Sequence, residues 1–141
     1  MSDGSERIIG LRAQTYRREP IQTPDAPVPT GPFSQAIRVG PLVFTAGQAG
    51  RNRDTGVLGD LAEQTEWALR NLDGILRAAG SALQQAVKLT IFLREGSDPA
   101  ALNEVYRRWF RDPLPARSLV YVSRLKGPDM LVEIEAVAVV G

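Results

Sequence analysis

Arg117, Glu133 and Glu135 are the side chains whose surroundings in the sequence suit chemistry on a small anion. Arginine is abundant here, fifteen residues against two lysines, and most arginines serve as surface charge. Arg117 differs by context. It follows Pro115, whose ring fixes the backbone ahead of a strand, and it precedes the apolar run 119–122. A guanidinium at the start of a strand offers a planar fork of N–H donors that fits a carboxylate, which a lysine ammonium does not reproduce. Glu133 and Glu135 share one face of an alternating stretch with Leu131, Val137 and Val139. The opposite face, Met130, Val132, Ile134, Ala136, Ala138 and Val140, is uniformly apolar. Two carboxylates do not suit a core, and the valines beside them do not need water. The mixture fits a sheet face buried against another subunit, with the carboxylates at a polar cleft in that contact. A solvated face with scattered valines is the plainer alternative.

The missing residue types narrow the chemistry further. The chain has no Cys and no His. That removes thiol nucleophiles, disulfides, the Ser-His-Asp arrangement and the usual nitrogen and sulfur ligands of zinc. Lys88 falls in an expected strand and Lys126 in an expected turn, neither of which suggests the desolvated pocket of a Schiff-base lysine. A P-loop and a G-x-G-x-x-G element are also missing. Catalysis would have to rest on carboxylates, hydroxyls, guanidinium groups, backbone dipoles and water. The formal net charge of +1 makes no call for nucleic acid or an anionic membrane. The longest apolar runs, 42–44 and 137–140, are far too short to span a bilayer. The polar start of the chain lacks the apolar core of a signal peptide, so a cytoplasmic location is expected.

At 141 residues, 43% hydrophobic and 23% charged, the chain fits one domain with a single core. Residues 1–16 are polar and unpatterned and are expected to form a loose tail, with 17–141 as the domain. Residues 18–23 suggest a short edge strand. The proline-rich stretch 24–32 reads as an extended loop. Strands are expected at 36–39 and 42–48, joined by a turn at Gly40-Pro41. Asp60 and Glu63 form a capping-box pattern that opens a helix. Leu61, Thr65, Ala68, Leu72, Ile75, Leu76 and Ala79 keep helical spacing, and Gly80 stands where a C-cap belongs. Residues 86–95 read as a strand. A second helix starts at Asp98-Pro99, and its stripe of Leu102, Val105, Tyr106, Trp109 and Phe110 is expected in the core. Strands at 117–125 and 130–140 flank the turn 126–129 and read as a long hairpin. The order β-β-β-α-β-α-β-β implies an α+β fold with two helices covering one face of a mixed sheet.

The chain also resembles the RidA (YjgF) family of enamine/imine deaminases. The resemblance is carried by Gly31-Pro32-Phe33-Ser34-Gln35-Ala36, Gly47-Gln48, the 87–93 strand, Asn103-Glu104-Val105-Tyr106, Pro115-Ala116-Arg117-Ser118 and Val132-Glu133-Ile134-Glu135-Ala136. Each segment is short, but they stand in the family's order and spacing over about residues 24–140. The resemblance implies a chorismate-mutase-like fold and a homotrimer with a barrel-like centre and sites between subunits. It implies cofactor-free hydrolysis of 2-imino acids, or their enamine tautomers, to 2-oxo acids and ammonia. Carried onto this sequence, Arg117 would bind the substrate carboxylate and Glu133 would position or activate the attacking water. The backbone at Gly47 would touch the ligand, Asn103 would line the cleft from the neighbouring chain, and Ser118 would adjoin it. Phe33 stands where many members have Tyr, Ala46 where Ser is common, and Leu119 where Cys is common. These departures make the expected pocket less polar and favour a bulkier or more apolar imine or enamine, or slower turnover. Two further readings stay open: a pathway-specific enamine deaminase acting on a 2-aminomuconate-like substrate, and a non-catalytic trimeric binder of small carboxylic acids. Ribonuclease activity, ascribed to some relatives, finds little support in a chain without His or a concentrated basic stripe.

Overall fold

The structure is a computed structural model that describes residues 16–141. The expected N-terminal tail therefore lies, except for Tyr16, outside the described residues. Seven strands form one sheet: β1 (Glu19–Ile21), β2 (Ala36–Val39), β3 (Leu42–Thr45), β4 (Gln48–Ala49), β5 (Ala86–Arg94), β6 (Ala116–Val122) and β7 (Val132–Val139). Their order across the sheet is β1-β2-β3-β7-β5-β6, with β4 also paired to β7. The β5–β6 pair is parallel and the other pairs are antiparallel.

The helices form where the capping chemistry allows. The carboxylate of Asp60 accepts the Glu63 N–H at 2.9 Å and caps α1 (Leu61–Ala78). Gly80 follows its C-cap at φ +84°, a conformation that favours glycine. Asp98 caps α2 (Pro99–Trp109) through the Ala100 N–H, with Pro99 at the first helical position. Both helices cover the same sheet face. Leu69, Leu72, Ile75 and Leu76 of α1 and Leu102 and Val105 of α2 are buried with Leu89, Ile91 and Leu93 of β5 and with Val132, Ile134, Ala136 and Ala138 of β7. The indole N–H of Trp109 donates to Glu66 at 2.7 Å and ties α2 to α1.

Two expectations change. The last two strands are not a hairpin, because β5 lies between them. α2 carries the chain across the core so that β6 pairs in parallel with β5, from Lys88↔Ala116 to Arg94↔Val122. The 126–129 turn then returns the chain to the far side of β5, where β7 enters antiparallel between β5 and β3. The expected strand 42–48 is also divided. β3 pairs with residues 137–139 of β7, β4 pairs with 133–134, and the backbone kinks at Ala46-Gly47 between them. There the Thr45 hydroxyl accepts the Ala136 N–H at 2.9 Å, and the Ala46 N–H turns away to the Gln35 carbonyl at 2.8 Å. The ladder's hydrogen bonds are satisfied from the side, so the kink leaves no orphaned donor at Ala46 or Ala136.

Candidate active site

The kink at Ala46-Gly47 forms the floor of a cleft of about 400 Å³. Its apolar wall comes from Pro27, Val28, Pro29 and Phe33, with Met130 opposite; its polar lining includes Arg51, Lys126 and Glu133. Three buried amides hold the surrounding loops. Gln35, 2% exposed, accepts the Thr23 N–H at 2.8 Å and donates to the carbonyls of Thr23 at 3.1 Å and Pro27 at 3.0 Å. It thereby fastens the proline-rich loop, which has few backbone donors of its own. Gln64 donates to the carbonyls of Gly59 and Asp129 and accepts the Leu131 N–H at 2.8 Å, fixing the chain that leads into β7. Asn71 donates to the Arg51 carbonyl at 2.9 Å. Sequence reasoning missed this role of Gln35, Gln64 and Asn71. The available signal was a glutamine and an asparagine on the apolar face of α1, where a polar group requires a partner.

Glu133 is half-buried on the sheet face away from the helices, opposite Phe92 of β5 and Ala49 of β4. Its carboxylate lies over the Gly47 backbone: a Cβ at Gly47 would stand 2.8 Å from Glu133 Oε2. Burial raises the Glu133 pKa above the ordinary 4.5, and the neighbouring Glu135 adds to the rise while Lys126 opposes it. A carboxyl held in this way exchanges a proton nearer to neutrality than an exposed one. Lys126 reaches across the cleft mouth to donate to the Thr30 hydroxyl at 3.2 Å.

Arg117 lies elsewhere. It pairs in register with Leu89, whose side chain is in the core, so Arg117 is on the helix side of the sheet. Its Nη1–H donates to Asn103 Oδ1 at 2.8 Å, and its Cζ lies 4.8 Å from the centre of the Tyr106 ring. With Arg107, Phe110, Leu114 and Pro115 these residues line a second cleft of about 340 Å³. Glu133 and Arg117 are thus two strands apart and displaced along them, roughly 14 Å by ordinary strand spacings, and on opposite faces. One chain does not bring them together.

The eight site residues expected from the sequence fall into separate groups. Phe33, Ala46, Gly47 and Glu133 share the first cleft, while Asn103 and Arg117 share the second. Ser118 is on the open face, where its hydroxyl accepts from Lys88 Nζ at 2.6 Å. Leu119 is partly buried and packs against the core, opposite Ile91. Among the described residues there is no group of three or more acidic, His or Cys side chains that could hold a metal ion. No described helix is long and apolar enough to cross a membrane.

Comparison with known proteins gives this geometry a family. Residues 23–140 match the family model described as endoribonuclease L-PSP. A RutC family protein of Pyrococcus abyssi is 46% identical over 123 residues, covering 86% of this chain and 96% of the relative. The 2-iminobutanoate/2-iminopropanoate deaminase of Dermatophagoides farinae is 39% identical over 122 residues, 85% of this chain and 94% of its own length. Among solved structures, RidA from the Antarctic bacterium Psychrobacter sp. superposes with a TM-score of 0.82 at 38% identity, covering 87% of this chain and 100% of that one. The Escherichia coli TdcF structure with bound serine gives 0.79 at 37% identity, covering 87% and 99%. With its α+β sheet, two helices and these matches over nearly the whole described chain, the protein belongs to the RidA (YjgF) family, whose model carries the name endoribonuclease L-PSP.

Proposed function

We propose that the protein hydrolyses the C=N bond of reactive 2-imino acids, or of their enamine tautomers, to 2-oxo acids and ammonia. The sites are completed between copies in a homotrimer: the Arg117 cleft of one subunit faces the Glu133 cleft of the next. The observation that carries this reading is the separation of Arg117 and Glu133 on opposite faces of one sheet, each in a cleft that lacks the other. The name of the mite relative supports the reaction. The open sheet face supports the assembly: Phe44, 44% exposed, pairs with Val137 there, and Val120, 43% exposed, stands on the same face beyond Phe92 of β5. The trimer, its barrel-like centre and a cytoplasmic setting belong to the same reading.

In this mechanism the Arg117 guanidinium binds the substrate carboxylate and places the imine carbon over the Gly47 backbone. Glu133 takes a proton from water as the oxygen attacks that carbon. It returns that proton to the nitrogen to give a carbinolamine, then carries the carbinolamine's hydroxyl proton to the nitrogen as the C=O bond forms and the C–N bond breaks, so one water is consumed and one ammonia leaves. An imine is already electrophilic, and orientation, a charge clamp and a proton carrier suffice. Phe33, the loop prolines and Met130 make one wall apolar, which favours a substrate with a larger apolar side chain. For RNA cleavage, the activity in the family model's name, the chain has no histidine to serve as acid or base.

The test is the decay of 2-imino acids generated in situ by an amino-acid oxidase from precursors of increasing side-chain size. The wild-type protein accelerates decay, most with larger apolar precursors, and Arg117→Ala lowers the rate by about two orders of magnitude or more. Unchanged decay across the whole panel contradicts the proposal. Ligand binding that depends on Arg117 without turnover indicates a binder instead.

A further inference from the structure

Arg117 has an uncommon set of partners. The ion pairs among the described residues join Arg53, Arg70, Arg77 and Arg108 to carboxylates, the last three one helical turn away. Arg117 is not among them. It meets instead the neutral amide oxygen of Asn103 and the face of the Tyr106 ring. Both hold a cation in place without cancelling its charge. A guanidinium carries five N–H donors; Asn103 engages one at Nη1, which leaves an edge for a bidentate anion.

The two partners are themselves fixed. Asn103 and Tyr106 are three residues apart on α2 and so lie on the same side of it. Tyr106 is 8% exposed, and its ring centre lies 4.4 Å from that of Phe110. The Tyr106 hydroxyl makes no hydrogen bond to the described residues. It is the ring, then, that Arg117 meets, and burial favours the neutral phenol.

We propose, resting on the reading that Arg117 receives the substrate carboxylate, that Asn103 and Tyr106 are positioning residues for that arginine. They set the plane of the guanidinium and leave its charge uncancelled, so the fork is formed before the anion arrives. Arg107, which lines the same cleft, adds positive potential but does not orient the fork.

Binding of 2-oxobutanoate, measured by calorimetry on the intact assembly, tests this together with the kinetics of imine hydrolysis. Tyr106→Leu and Asn103→Ala are each expected to weaken binding about tenfold, with the larger kinetic effect in KM. Tyr106→Phe, which keeps the ring, restores what Tyr106→Leu loses. Asn103→Asp places a carboxylate against Arg117 and is expected to be worse than Asn103→Ala, because it competes with the ligand. If the leucine and alanine variants bind as wild type while Arg117→Ala does not, the positioning role is overturned and the carboxylate reading stands. If Arg117→Ala also binds as wild type, both are overturned. A Tyr106→Phe as weak as Tyr106→Leu overturns the ring's part. Should Tyr106→Leu fail to fold, the two Asn103 variants decide, since that residue is only partly buried.

Discussion

The Glu133 carboxylate is raised mainly by burial, and that has consequences for activity and for stability. Its folded pKa stands above the ordinary 4.5, so the folded chain binds this proton more tightly than the unfolded one. Stability from this group is therefore greatest below the unfolded value and declines as pH rises through 4.5 towards the folded value. Glu133→Gln removes that decline. The variant is expected to melt above wild type at pH 7, with the difference closing below pH 4.5, as thermal melts across pH would record. The same variant loses imine hydrolysis by about two to four orders of magnitude, the contribution of a general base. Gly47 makes a second, sharper case. Its missing Cβ leaves the space in which Glu133 lies, and Gly47→Ala would set a methyl group 2.8 Å from Oε2. We expect that variant to fold but to lose at least about tenfold in kcat/KM as the carboxylate is displaced. Motif context singled out Arg117, Glu133 and Gly47 as candidates; the contacts of Asn103 and Tyr106 with Arg117 were not legible in the sequence, because a hydrogen bond and a ring contact between α2 and β6 depend on how the two pack.

Among the elements, the loops around the first cleft depend on buried amides more than on their own backbone. Gln35→Leu removes one acceptor and the donor contacts of its amide, leaving the Thr23 N–H and the carbonyls of Thr23, Ala26 and Pro27 without their partner. A loss of about 1–3 kcal/mol in unfolding free energy is expected from denaturant titration, with a raised KM as the Pro27–Pro29 wall loosens. Helix positions were readable because caps and apolar spacing are local: Asp60, Asp98 and Gly80 each stand at a helix end. The division of 42–48 into two strands was not, since it rests on Thr45 and Gln35 supplying hydrogen bonds from residues far along the chain. Leu119 shows the same limit, because its neighbours in the core could not be assigned until β6 was known to pair with β5.

At the scale of the whole molecule, the sheet order decides how far apart Arg117 and Glu133 stand in one chain. A hairpin of the last two strands would have set β6 beside β7; the observed β7-β5-β6 order places a strand between them, and the register of Arg117 with Leu89 and of Glu133 with Phe92 puts the two on opposite faces. Alternation along β7 already indicated a face that suits neither core nor water, with Glu133 and Glu135 among valines. It could not indicate which strand would neighbour it, because strand pairing is a long-range choice that the crossover through α2 makes. Each site of the proposed trimer takes Arg117 from one chain and Glu133 from another. The most direct measurement mixes Arg117→Ala and Glu133→Gln subunits, each inactive alone, by joint refolding or co-expression, and then follows imine hydrolysis. In a closed ring of three, random mixing rebuilds both residues in about a quarter of the sites, so about a quarter of wild-type activity should return. Mixed assemblies that form and yet stay as inactive as either parent would contradict the account.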